Sequence, residues 1–181
     1  MPHNRITLST SLGDIVIALD HTHAPRTAGH FLRLVQEQHF ADASFYRAVH
    51  KSNTPGHLPT IDVLQGGRGF AASPDAPSVA HEPTSETGLR HVTGAVSMAR
   101  GKDADASTEF FICLGDFPVL DAGGVDGPGA SGFAAFAMVE RGLDVVRRIH
   151  ALPAEAPAPA GWEFLQGQFL SDPLTLHARL S

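Results

Sequence analysis

The stretch GAVSMARGKDADASTEFFICLGD, Gly94 to Asp116, holds two short apolar runs separated by small, charged and polar residues. In the second run, alternation puts Phe110, Ile112 and Leu114 on one face of a strand and Glu109, Phe111 and Cys113 on the other. The first run belongs to a strand predicted over Val92–Met98, and no amphipathic helix lies between the two. Successive strands without crossover helices do not build a parallel sheet, so this stretch points to a β-sandwich or a closed antiparallel barrel.

The rest of the chain repeats the pattern. Ile6 and Leu8, then Ile15, Ile17 and Leu19, alternate around Gly13-Asp14 and read as a hairpin. Further strands are predicted at Phe45–Val49, Ile61–Gln65 and Phe133–Val139. A closing strand is predicted in LTLHARL, where Leu174, Leu176, Ala178 and Leu180 share a face. Only two helices are expected. Ala28, Phe31, Leu32 and Val35 form one apolar stripe behind Pro25, and Leu143–Ile149 is the second helix. The 18 glycines and 13 prolines mark long loops at Ser52–Thr60, Gly69–Leu89, Asp121–Gly132 and Pro153–Gly161, the last a Pro/Ala segment crossing the surface to the final strand. A single mostly-β domain over residues 1–181 is expected, with seven or eight strands and two helices.

Composition excludes several functions. The chain is 43% hydrophobic, enough for a core, and carries a net charge of -6 without any run of lysine or arginine, so neither nucleic acid nor an anionic membrane is an expected partner. The lone Cys113 cannot form an intrachain disulfide and sits in an apolar run, which suits a buried, inert thiol in a reducing compartment. No run resembles a signal peptide or a membrane span, and a soluble cytoplasmic protein is expected. QGGRGF, Gln65–Phe70, has the glycines of a phosphate loop but no following helix, and ARGKD, Ala99–Asp103, lacks the earlier glycine and the Ser/Thr of a P-loop. Eleven histidines include His21-x-His23, yet spacing fixes no third ligand, so scattered surface histidines and no metal are expected. DAGGVDGPG lacks the ligand spacing of a calcium loop. No Ser/His/Asp elbow is visible, so bond-breaking chemistry has no obvious machinery here. A reaction that breaks no bond would need none.

SFYRAV, Ser44–Val49, sets an arginine inside a strand. Strict alternation gives Arg47 the same face as Phe45 and Val49, either as an edge charge that resists aggregation or as a donor aimed at a ligand.

SFYRAV, VLQGG at Val63–Gly67 and the Gly94–Asp116 block together resemble the cyclophilin family of peptidyl-prolyl cis-trans isomerases, its bacterial branch most closely, over about Leu12 to Ile149. LGDIVIALD, APRTAGHFLRLV and GFAAFAMVERGLDVVRRI add to the likeness. The resemblance implies an eight-stranded antiparallel β-barrel capped by two α-helices, its interior filled and its substrate held in a shallow outer groove. It implies an enzyme that rotates X–Pro bonds in client proteins and assists folding, without cofactor or metal. The partners would be proline-containing peptide segments, and a monomer is expected. The alternative is a non-catalytic module that binds proline peptides or a partner protein.

The family's arginine falls on Arg47, which would be the catalytic residue, and its glutamine on Gln65, a partner for the guanidinium. Val63, Phe111 and Leu120 would hold the proline ring, and Ala99, Arg100 and Gly101 would offer backbone groups to an extended peptide. Four departures surround these positions. Glu109 replaces a glutamine and could hold or sequester Arg47, Val119 replaces a tryptophan or phenylalanine, and Phe133 stands at a histidine position. HKSNTPGHLPTID lengthens a loop and puts Asp62 in register with a groove phenylalanine, so that Leu58 or Ile61 would have to fill its place. The missing tryptophan implies weak binding of cyclosporin.

Overall fold

The computed structural model describes residues 4–69, 75–101, 104–124 and 130–181. Its elements run β1 (Arg5–Thr10), β2 (Gly13–Leu19), α1 (Pro25–Gln36), β3 (Ser44–Val49), β4 (Val63–Gly67), α2 (Thr84–Thr87), β5 (Ala95–Met98), β6 (Phe110–Cys113), β7 (Ala134–Arg141), α3 (Leu143–His150), β8 (Phe169–Thr175) and β9 (His177–Leu180). The strands form one antiparallel sheet in the order β8-β3-β4-β6-β5-β7-β2-β1-β9.

The sheet curls into a nearly closed barrel. Its outer strands β8 and β9 are consecutive in sequence, and the single residue between them, Leu176, is fully buried and donates its N–H to Ala43 O at 3.0 Å. The chain thus steps from one sheet edge to the other at Leu176, which shields edges that would otherwise be open. The LTLHARL alternation therefore spans two strands, and the described residues hold nine strands and three helices against the expected eight and two. The additional helix, α2, is a single turn, too short to show a period in sequence.

The interior is filled, as expected. Phe31, Phe40, Phe45, Phe110 and Phe136 make a chain of ring contacts with centroids 5.0–5.9 Å apart. The same core takes Phe31, Leu34 and Val35 from α1 and Val145, Val146 and Ile149 from α3, so both helices are held by their apolar stripes. The N-terminus of α1 lacks a side-chain cap of its own. Buried Glu82 caps it instead, accepting from Thr27 N at 2.8 Å and Thr27 Oγ1 at 2.7 Å, which fastens the loop before α2 to the helix.

β3 departs from strict alternation in a way that decides the site. Its register against both β4 and β8 shifts between Phe45 and Arg47, leaving Tyr46 as the extra residue of a bulge. Phe45 and Ala48 face the core, while Tyr46, Arg47 and Val49 face outward. The expectation that Arg47 shares a face with Phe45 is corrected accordingly; Val49 remains its neighbour.

Gly142 joins β7 to α3 at φ 88°, and a Cβ there would run into the backbone carbonyl of Asp14. Left-handed strain and overpacking each cost about 1–3 kcal/mol. Gly142→Ala is therefore expected to lower unfolding stability by about 2–6 kcal/mol in urea titration; a loss below about 0.5 kcal/mol would contradict this packing.

Candidate functional site

The antiparallel registers set four outward residues in a row across the sheet. Arg47 on β3 faces Gln65 on β4, Gln65 faces Phe111 on β6, and Phe111 faces Ser97 on β5. With strands about 4.8 Å apart, an arginine and an aromatic floor end up two strands from each other on one surface.

The guanidinium is fixed from two sides. Nη1 donates to Gln65 Oε1 at 2.7 Å, while Nε and Nη2 donate to Gln168 Oε1 at 2.9 and 2.6 Å. Gln168 is fully buried and is itself held, its Nε2 donating to Asn53 O at 3.1 Å. Both acceptors are neutral amides, so the positive charge is oriented without being cancelled. Burial lowers the Arg47 pKa to about 10, which still leaves it protonated at neutral pH.

Glu109 does not grip Arg47. Its carboxylate accepts from Tyr46 Oη at 2.5 Å, Thr108 Oγ1 at 2.9 Å, Arg68 N at 2.8 Å and Gly69 N at 3.3 Å. Tyr46 Oη in turn accepts from Gln65 Nε2 at 2.8 Å, so the carboxylate is linked to the guanidinium through two side chains. Within QGGRGF the successive N–H groups of Arg68 and Gly69 thus form a small anion cradle, filled by the chain's own carboxylate. Gly67, at φ 141°, is required there, since a Cβ would lie 2.6 Å from the Glu109 carboxylate carbon. Burial pushes the Glu109 pKa up against these hydrogen bonds, and burial beside Glu109 pushes Tyr46 up as well.

Next to the row lies a separate apolar cluster on the outer face. Val63, Phe111 and Leu120 are buried in it beside Val49, Ala95, Cys113 and Phe117, with Ile61, Ala99, Val119 and Phe133 half-buried around them. Phe133 meets Phe111 edge-on with centroids 5.4 Å apart. Ile61, not Leu58, joins this cluster; Leu58 packs near Tyr46, Leu165 and Phe169. Cys113 is buried with its pKa pushed up to about 12, chiefly by burial, in keeping with an inert thiol.

The 99–101 segment is more committed to the fold than expected. Ala99 N donates to Glu109 O at 2.8 Å, and Gly101 O accepts from Ala104 N at 3.2 Å. Arg100 turns to the facing loop, donating to Gly132 O at 2.7 Å and Ser131 Oγ at 2.6 Å.

Two parts of the site carry no sequence signal. Gln168 immediately precedes β8, a strand whose alternation is broken by Asp172-Pro173. Beneath Phe111, buried His91 stacks on the ring at 5.9 Å, with Nδ1 2.7 Å from Asp121 Oδ1 and Nε2 2.9 Å from Ser97 Oγ. This triad has the residue types of a hydrolase but is buried and acts as the bed of the aromatic floor.

The raised Glu109 pKa fixes a sign. An acid that binds protons more readily when folded loses stability as pH rises from its unfolded pKa, about 4.3, through its folded one. The stability of wild type relative to Glu109→Gln, read from urea midpoints, is expected to fall as pH rises above about 4. A relative stability that rises over that range would mean the hydrogen bonds outweigh burial.

Comparison with known proteins agrees with this geometry. The family model described as cyclophilin type peptidyl-prolyl cis-trans isomerase matches residues 5–161. The chain is 32% identical over 159 residues to peptidyl-prolyl cis-trans isomerase A of Dickeya dadantii, covering 85% of this chain and 75% of that protein. It is also 32% identical over 145 residues to a peptidyl-prolyl cis-trans isomerase of Streptomyces antibioticus, covering 80% and 81%. Among solved structures, a cyclophilin type isomerase of Cryptosporidium parvum superposes with a TM-score of 0.70 at 15% identity over 99% of this chain and 98% of that one, a likeness of fold. The same Cryptosporidium protein, solved in the presence of the dipeptide Ala-Pro, gives a TM-score of 0.70 at 14% identity over 98% of each chain. With its barrel, its outward arginine row and these relatives, the chain belongs to the cyclophilin-type peptidyl-prolyl cis-trans isomerase family.

Proposed function

We propose that the outer face around Arg47 and Phe111 catalyses rotation about X–Pro peptide bonds in extended or unfolded segments of client proteins, and so assists folding. The observation that carries this reading is the guanidinium held by Gln65 and Gln168 in the row that leads to Phe111. The rotation barrier, about 18–20 kcal/mol for an ordinary peptide bond and of similar origin before proline, reflects amide resonance, which is lost at the midpoint as the imide nitrogen recovers a lone pair. A fixed N–H donor aimed at that lone pair stabilises the twisted state more than either planar one, and only such differential binding accelerates the step.

Phe111, Val63 and Leu120 are proposed to seat the proline ring, with Val119 and Phe133 at the rim and Ala99, Arg100 and Gly101 alongside the peptide. Because Ala99 N–H and Gly101 C=O already have partners, that strand-like contact would be thin. Glu109 acts as an anchor for Tyr46 and Gln65. The small Val119 supports weak cyclosporin binding. The buried lone thiol supports a reducing, cytoplasmic setting for one monomeric domain. Among the described residues, no helix is long and apolar enough to cross a membrane.

Cis-to-trans conversion of a short Ala-Pro peptide separates catalysis from simple peptide binding. Arg47→Ala is expected to reduce kcat/KM about 10²–10³-fold, as for loss of a preorganised donor. Gln168→Leu, which leaves Nε and Nη2 short of their acceptor, is expected to reduce it about tenfold with the far-UV spectrum unchanged. A wild type that leaves the uncatalysed rate unchanged across several residues before proline would overturn the enzyme reading and favour a peptide-binding module.

A further inference from the structure

Away from the arginine row, two imidazoles and a carboxylate converge. One ligand atom from each of His50, Asp62 and His150 lies within 4.8 Å of the others. They come from three elements: His50 follows β3, Asp62 immediately precedes β4, and His150 ends α3. No sequence spacing could join them.

The protonation pattern suits a ligand set. Nε2 of His150 lies 2.8 Å from Val49 O, which can only accept, so Nε2 carries the hydrogen and Nδ1 keeps its lone pair. A ring N–H given to a backbone carbonyl, with the other nitrogen free, is the arrangement metal-binding histidines adopt. The His50 ring lies against that of His150 with centroids 3.8 Å apart and a 40° tilt. Asp62 is steadied by Lys51 N, 3.0 Å from its Oδ1. The Lys51 ammonium lies 3.7 Å from Oδ2 on a side chain that is 62% exposed, and can swing into water. The position at the C-terminus of α3 adds the negative end of a helix dipole.

We propose that His50, Asp62 and His150 bind one divalent transition-metal ion, with zinc the best fit to two imidazoles and one carboxylate and water completing the shell. Zinc–nitrogen distances of about 2.0–2.1 Å place neighbouring ligand atoms about 3.4 Å apart, so the half-buried His50 and Asp62 close on the ion by small rotations. Residues 51–61, the lengthened loop, lie between two of the ligands. The ion would fasten that loop at its base to α3. Isomerisation itself needs no metal, and the inference does not depend on it.

The test is calorimetric titration of the untagged full chain with zinc chloride, alongside thermal unfolding with zinc and with a chelator. One ion per chain is expected, with a midpoint rise of roughly 5–11 °C at a hundredfold excess over Kd. His50→Gln, Asp62→Asn and His150→Gln should each weaken binding at least tenfold, while His23→Gln leaves it unchanged. Cobalt should give visible d–d bands that the Asp62→Asn chain loses, a readout independent of stability. Absence of stoichiometric binding, or binding that survives His50→Gln and Asp62→Asn together, overturns the site.

Discussion

A guanidinium lying against a β-sheet must be given acceptors, and which acceptors it is given decides whether its charge remains useful. Arg47 is bound by two amide oxygens, from Gln65 and Gln168, and among the described residues by no carboxylate. A carboxylate in direct contact would form a charge-assisted fork and neutralise the donor a ligand would need. The acid is nearby, but it is anchored one side chain further out by Tyr46, Thr108 and the 68–69 amides. The arrangement orients a cation and leaves its field unquenched.

The rest of the fold serves that arrangement. The bulge at Tyr46 rotates Arg47 off the core face and puts the tyrosine where it can link Glu109 to Gln65. Pairing of β3, β4 and β6 then sets the distance from the guanidinium to Phe111, and closure of the barrel at Leu176 brings β8 beside β3, so that Gln168 arrives from over a hundred residues away. His91, Asp121 and Ser97 give the aromatic floor a rigid polar bed.

Much of this was legible in sequence, for definite reasons. Alternation in FFICL placed Phe110 and Ile112 inside and Phe111 and Cys113 outside, because β6 is paired on both sides and carries no irregularity. Family likeness implies Gln65 as partner of Arg47, and the two side chains meet at 2.7 Å. Alternation puts Arg47 on the face of Phe45 wrongly, because a bulge is a tertiary feature that adds one residue to a period of two. Glu109 was expected near Arg47, but sequence cannot show that backbone amides at 68 and 69 outbid the guanidinium. Gln168 was missed because its strand begins with two buried residues and is then broken by Asp172-Pro173, and α2 because one turn has no period. Asn53 and His91 act through contacts between distant segments, which composition and spacing do not encode.

The central claim is that the geometry of the arginine fork, beyond its charge, makes the site. Arg47→Lys retains a cation but cannot donate to Gln65 and Gln168 while presenting another planar N–H. Exchange spectroscopy on an Ala-Pro peptide, comparing wild type with Arg47→Lys at equal fold content, measures this directly. The account predicts rapid cis–trans exchange with wild type and a rate at least about thirtyfold slower with lysine. A lysine variant that matches wild type would contradict it.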